Sequence, residues 1–395
     1  MARKVKDWIS GYLDFTENSE PPELYKEWVA MSVIASCLQR KVHLIWDMPT
    51  YPNMYVVLVG PSGRARKGTA MTPGLDMLQD LGTINLAAES ITREALIREL
   101  KKASGTEITE EGELIQHCSL TIYSPELTVF LGYDNKQLMI DLADWYDCRK
   151  RWTYRTKTQG EEEIIGVWVN IIGATTPELL IEAVPSIAIG GGLASRMIFV
   201  YQDRKGKNIP LPFLTEQDFL LRHDLMLDLD RIRSMKGEFS LAEDFLQIWV
   251  PFYETLDDNP PFKDETFNAY FSRRAKHLLK LCMIISASEG DSMELTAHIF
   301  NRALNTLRRV EVPMSNTFRG FGQSDHAAVL VKIMAVLATR KEMSYQEILQ
   351  MFYRDATLET IEAIIRTMEI MKWCKKVINP EKGTTKIVYT KEEEQ

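Results

Sequence analysis

A chain of 395 residues, 45% apolar and 26% charged, has the composition of a globular protein with room for two or three domains. Its net charge of −8 excludes a surface that attracts nucleic acid as a whole, so any contact with DNA or RNA must rest on a local basic patch. The five cysteines (Cys37, Cys118, Cys148, Cys282 and Cys374) share no metal-ligand spacing, the six histidines are dispersed, and no zinc site or disulfide framework is expected.

No run of about 18 apolar residues occurs, and the first residues lack the apolar core of a secretory signal. A cytoplasmic protein with no membrane contact is the expectation. Residues 1–50 read as helical: Trp8, Tyr12, Leu24, Trp28, Met31, Ile34 and Ala35 recur at helical spacing, with a break at Pro21-Pro22. Residues 51–205 alternate short apolar strands with helices. The expected strands lie at 54–60, 83–88, 118–124, 167–174 and 196–201, and a helix starts after Thr92, with Glu94 in its first turn. This order predicts an α/β core with a five-stranded, mainly parallel sheet covered on both faces.

Residues 206–320 read as a helical domain centred on 268–289, and 318–324 as a linker. Residues 321–395 carry three helices and then two strands. Ala328, Ile333, Met334 and Leu337 mark the first helix, Ser344 and Glu347 a capping box, and Leu358, Ile361, Ile365 and Met368 the third helix. With Gly383 at the turn between the strands, the order predicts a winged helix-turn-helix.

The segment "VVLVGPSGRARKGTA" (56–70) runs a buried strand into a Gly/Ser/Pro loop, a lysine and a helix. Glycines let backbone N–H groups turn towards phosphate oxygens, and the helix dipole adds to this. Gly60, Ser62, Gly63, Arg66, Lys67, Gly68 and Thr69 are the candidate nucleotide-binding residues. The spacing departs from G-x-x-x-x-G-K-[ST]: Arg66 stands for the second glycine, Gly68 for the hydroxyl residue, and Thr69 comes one position late. The loop alone is equally well read as a plain strand-to-helix turn.

Several segments in order, among them "PPELYKEWVAMSVIASCLQRKV", "SPELTVFL", "NIIGATTPELL", "GGGLASRMIFVY" and "SRRAKHLLKLCMI", give the chain from about Trp8 to Phe321 a further likeness. It resembles the P-loop ATPases of phages and mobile elements that accompany DNA primases and act as replicative helicases. The resemblance implies a RecA/AAA+-like P-loop NTPase core, ATP and Mg2+ as cofactors, DNA as partner, a homo-oligomeric ring, and a primase as a further partner. It implies that Lys67 contacts phosphate, Thr69 the magnesium, and that Glu126 activates water. Thr175 and Thr176 become sensors of water or γ-phosphate, Arg196 an arginine finger reaching a neighbouring subunit, and Arg273 or Arg274 a second sensor. Ser124 and Pro125 replace the aspartate usual before Glu126, which puts magnesium coordination in question.

Each of these residues has a plainer reading. Glu126 suits a helix N-terminus, Thr175 or Thr176 a cap, Arg196 a pairing with a core-edge carboxylate, and Arg273 and Arg274 a helix surface. Two functions compete: an ATP-driven DNA helicase or translocase, and a nucleotide-gated initiator or loader that hydrolyses slowly; a third, a winged-helix transcription regulator, leaves the first 320 residues without a role. For the DNA contact, "CRKRWTYRTKTQGEEEI" (148–164) interleaves Arg149, Lys150, Arg151, Arg155 and Lys157 with Trp152 and Tyr154, on an expected β-hairpin turning at Gln159-Gly160. That composition suits single-stranded DNA, the alternative being core aromatics with a solvated charged edge.

Overall fold

The computed structural model describes residues 3–108, 112, 114–132, 135–156, 160–183, 192–261, 267–314, 317, 325–353, 355–379 and 384–390. The chain divides into two compact units, Met1–Arg319 and Gly320–Gln395.

The first unit opens with α1 (Trp8–Phe15), where the Asp7 carboxylate accepts from Ser10 N–H, and α2 (Glu23–Leu38), which follows the expected proline break. All of α2 beyond Glu23 is buried, so this helix is enclosed on every side. The helical reading of 1–50 ends early. β1 (Val42–Ile45) and β2 (Pro49–Thr50) form an antiparallel pair, because the alternating burial of Val-His-Leu-Ile suits a strand edge.

The core follows as β3 (Tyr55–Val59), α3 (Lys67–Leu81), α4 (Arg93–Lys102), β4 (Ser104–Ile108), β5 (Leu114–Ser124), α5 (Leu127–Leu131), α6 (Lys136–Tyr146), the hairpin β6 (Arg151–Thr156) and β7 (Gly160–Ile165), β8 (Val167–Thr175), α7 (Pro177–Ala183) and β9 (Met197–Tyr201). Five strands form one sheet in the order β4-β5-β8-β3-β9. β5, β8, β3 and β9 are parallel neighbours, and β4 runs antiparallel at the edge. Every residue of β3 and β8 is buried, as a sheet covered on both faces requires. The fifth strand is not the expected one. Residues 83–88 give a single parallel bridge, Leu86 to Thr121, and the edge is taken instead by β4, which pairs with the first residues of β5. Asn170 ties α2 to the sheet: its buried amide donates to Ser32 and Ser36 and accepts from Met54 N–H, which satisfies its own polar atoms.

The rest of this unit is α8 (Glu216–Ser234), β10 (Gly237–Glu238), β11 (Ser240–Leu241), α9 (Glu243–Glu254), α10 (Asn268–Phe271), α11 (Arg274–Glu289), β12 (Glu294–Leu295) and α12 (Ala297–Met314). Two-residue strands appear where only helices were expected: β10 pairs with β1 and β11 with β12. The expected helix at 268–289 breaks at Ser272-Arg273, and α11 is buried along nearly its whole length. Among the described residues, no helix is long and apolar enough to cross a membrane.

The second unit contains α13 (Asp325–Arg340), β13 (Glu342–Ser344), α14 (Tyr345–Phe352), α15 (Leu358–Ile370), β14 (Cys374–Asn379) and β15 (Thr384–Tyr389). Its antiparallel sheet has the order β13-β15-β14, and β13 was not expected. Ile333, Leu337, Ile348, Ile361, Ile365, Met368 and Ile387 fill the core, while Leu358 is exposed rather than core-facing. The capping box of Ser344 and Glu347 is formed. Gly383 lies outside the described residues.

Candidate functional site

Three strand ends meet at Gly60. Its N–H donates to the Thr175 carbonyl at 3.3 Å. The Tyr25 hydroxyl donates to the Val59 carbonyl at 2.6 Å and to that of Gln202 at 3.3 Å. A Cβ at Gly60 would lie 2.2 Å from the Gln202 oxygen and 2.7 Å from the Tyr25 oxygen, so the position admits only glycine. Gly63 and Arg66 then take left-handed φ values of 69° and 55°, and α3 begins at Lys67 with no side chain capping it. Ser62, Gly63, Arg66, Gly68 and Thr69 are exposed. A Cβ at Gly63 or Gly68 would meet nothing within 4 Å, so the loop's mouth is open.

Lys67 is half-buried. Its ammonium donates to the carbonyls of Gly60 at 2.5 Å and Pro61 at 3.4 Å. Burial lowers its pKa, while the carboxylates of Glu126 and Glu178 oppose that shift. A half-buried cation resting on carbonyls, beside an uncapped helix start, makes an electropositive mouth suited to an anion. Arg66 is not part of that mouth, since its Nε pairs with Glu20 at 2.8 Å, a carboxylate that also holds Lys205.

The register brings the other candidates to the same edge. Val59 pairs with Thr175 across β3 and β8, and Ser124 with Gly173 across β5 and β8. Lys67 and Glu126 therefore follow, and Thr175 forms, the carboxyl ends of adjacent parallel strands, where open α/β sheets form their ligand crevice. Glu126 is exposed and starts α5 through its backbone, but its carboxylate makes no capping hydrogen bond. Thr175 is buried, and its hydroxyl donates to Thr176 O at 3.4 Å. Thr176 Oγ1 accepts from Leu179 N–H at 3.3 Å, so this residue caps α7. Glu178, exposed in the first turn of α7, is an acid of this edge that the sequence reading missed, although it lies inside the quoted "TTPELL" segment.

Arg196 lies at the opposite edge. It precedes Met197, which pairs with Tyr55, whereas Tyr201 pairs with Val59 beside the loop. At about 3.3 Å per residue, roughly 13 Å of strand separates the two edges, so Arg196 cannot reach a group at Lys67 of its own chain. Its Nη2 pairs with Asp147 Oδ2 at 2.6 Å and its Nη1 donates to Gly192 O at 2.8 Å. Arg273 Nη1 pairs with Asp147 Oδ1 at 3.4 Å, so one carboxylate bridges both arginines. Arg274 has a different place. It grips Glu311 with two bonds of 2.6 and 2.8 Å, and both residues are buried, which accounts for Arg274 without any ligand.

The expected hairpin forms as β6 and β7, but its aromatics face the body. Trp152 packs edge-on to Trp145 at 5.4 Å, and Arg93 sits over the Tyr154 ring at 4.8 Å. On the other face Arg151 pairs with Glu163 at 2.8 Å, and Arg155 stands opposite Glu161. Arg149 pairs with Asp144 at 2.6 Å. Lys157 and Gln159 lie outside the described residues. All five cysteines are free and buried, and among the described residues no cluster of His, Cys, Asp or Glu could hold a metal ion.

No family model matches this chain, and none of the curated proteins matches it.

Proposed function

We propose that residues 1–319 form a P-loop-type, RecA/AAA+-like core that binds and hydrolyses ATP, and that the protein is a DNA-stimulated ATPase working as a homo-oligomer in phage or mobile-element replication. The observation that carries this reading is the convergence of Lys67, Glu126 and Thr175 at the carboxyl edge of β5, β8 and β3, around a half-buried ammonium whose hydrogen bonds go to carbonyls.

The open mouth at Gly63 and Gly68 and the uncapped start of α3 fit a polyphosphate. Lys67 and the first-turn N–H groups of α3 would hold its outer oxygens. Thr69 in that turn, with Glu126 or Glu178, would hold the magnesium. Magnesium-bound ATP would bring the phosphoanhydride bond together with a cation that offsets its charge. Glu126 orients a water and takes its proton as the water oxygen bonds to the terminal phosphorus and the bond to the departing diphosphate breaks. Arg196, at the far edge of its own sheet, would serve a nucleotide on another copy. An exposed apolar run of Leu211, Phe213, Leu214, Phe219 and Leu220 supports contact between copies.

The second unit has the helix and strand order of a winged helix-turn-helix. Its third helix, α15, carries Glu359, Glu362 and Glu369, which phosphates repel, while β14 exposes Lys375 and Lys376. A second reading, a nucleotide-gated initiator or loader with slow hydrolysis, is favoured by Ser124-Pro125 in the place of an acid before Glu126.

One assay separates the two. ATP affinity by calorimetry and turnover with and without single-stranded DNA are measured for the parent and for Glu126→Gln. The ATPase reading expects stimulated turnover in the parent, and in the variant retained binding with turnover lost. Binding without turnover in the parent selects the loader, and absence of ATP binding removes both.

A further inference from the structure

Asp147 sits where a carboxylate is least at home. It ends α6, where the helix dipole is negative, and no basic residue occupies the last turn of that helix. What stabilises it comes from far along the chain: Arg196 on one oxygen at 2.6 Å and Arg273 on the other at 3.4 Å. The Arg196 side chain is 11% exposed, and its Nε is buried with no hydrogen-bond partner. Two guanidiniums converging on two oxygens of one anion is the geometry that also grips a phosphate.

The surroundings hold both arginines from behind. Arg196 ends a short 3-10 turn, and the carbonyl of its neighbour Ser195 lies 3.4 Å from His277 Nε2. His277 in turn meets the Tyr146 hydroxyl at 3.0 Å, directly before Asp147. Arg273 N–H is fixed to Tyr270 O at 2.9 Å at the start of α11. The buried Lys280 adds further positive charge beside His277. Lys280 is held by the carbonyl and the side-chain oxygen of Asn53, so Arg196 and Arg273 share Asp147 as their carboxylate.

We infer that Asp147 is a positioning residue that holds Arg196 and Arg273 as a pair, standing in for a phosphate that a second copy presents to them. This rests on the ATPase reading above and adds to it the second arginine and the internal carboxylate that competes with the phosphate. Engagement exchanges one anion for another: Asp147 is released to solvent and each guanidinium takes a phosphate oxygen. No covalent bond changes in this step.

The test follows specific ATPase activity against protein concentration at saturating magnesium-ATP, for the parent, Asp147→Asn, Asp147→Glu and Arg273→Ala. Removing the competing charge in Asp147→Asn should lower the protein concentration at half-maximal activity at least about threefold, and Asp147→Glu should return it towards the parent. Arg273→Ala should lower kcat at least about tenfold with KM for ATP unchanged, because its own nucleotide lies at the other edge. A lowered Tm in Asp147→Asn with an unshifted midpoint makes the trio a structural ion pair and overturns the inference. An unchanged kcat in Arg273→Ala overturns it as well, and that arm stands even if Asp147→Asn fails to fold. A parent that binds no ATP removes the underlying reading together with the inference, an outcome the calorimetry shows separately.

Discussion

Lys67 donates its ammonium to the carbonyl of Gly60, seven residues back, at 2.5 Å. The bond closes the loop on itself with the amine half-buried and its pKa lowered by that burial. A lysine held on carbonyls gives up little when an anion arrives, because charge-assisted bonds to phosphate are worth about 1.5–3 kcal/mol each. Lys67→Ala should therefore weaken ATP binding about tenfold to a hundredfold with Tm almost unchanged. Calorimetry and thermal melts check both halves, and an unaltered ATP affinity would leave the loop a plain turn.

Arg274 and Glu311 form a buried, two-bonded pair, and the Tyr270 hydroxyl also donates to Glu311 at 3.2 Å. Breaking such a pair by removing one partner costs about 3–5 kcal/mol, since the other charge stays buried. Arg274→Ala should lower stability by that order in denaturant titrations. Arg274→Met with Glu311→Leu should recover most of the loss. An Arg274→Ala variant that melts like the parent yet loses ATPase activity would instead make Arg274 a ligand-sensing residue.

Two buried histidines should weaken the fold at acid pH. Burial, with Lys280, Arg273 and Arg196 beside it, pushes His277 down to about 3, and burial beside Lys41 pushes His117 down to about 4. Both lie below the ordinary 6.5, so under that pH the unfolded chain binds protons that the folded chain does not. Stability should then fall as pH drops from 6.5 towards 4, by up to about 1.4 kcal/mol per pH unit for each histidine. His277→Gln should lower stability at pH 7 and roughly halve the slope between pH 6 and 5. An unchanged slope in that variant would show that other groups control acid unfolding.

The parts of the site that were legible in the sequence are those whose cause is local. β3 is a continuous apolar run, and the lysine follows it after a loop rich in turn formers, so strand, loop and helix start could be read together. β4 could not, because "SGTEI" has little strand propensity and owes its place to the length of β5, which starts at Leu114 rather than at Cys118. The aromatics of the hairpin were visible, but the direction they face is set by Trp145 and Arg93 on other elements. Asp147 was passed over for the same reason. Its partners lie 49 and 126 residues away, and nothing in "DWYDCRK" announces them.

The hairpin also changes where DNA contact should be sought. Counterion release depends on the net charge that meets phosphates, at a slope of about −0.7 per contact for single strands. Arg149 and Arg151 already pair with Asp144 and Glu163, so docking a phosphate on either arginine leaves a carboxylate beside it without its partner. Trp152 and Tyr154 are half-buried against Trp145, Arg93 and each other, which reduces the ring face left for base stacking. On β14, Lys375 and Lys376 are exposed, with the Lys376 ammonium 5.7 Å from the Tyr345 ring centre and only a weak hold there. Single-stranded DNA affinity measured from 50 to 200 mM salt should lose about 1.4 from its logarithmic slope in Lys375→Ala/Lys376→Ala, two contacts' worth. Arg149→Ala/Arg151→Ala should change it by less than about 0.7. A larger change in the arginine variant would return the DNA path to the hairpin, and salt-independent binding in the parent would remove the phosphate backbone as the ligand.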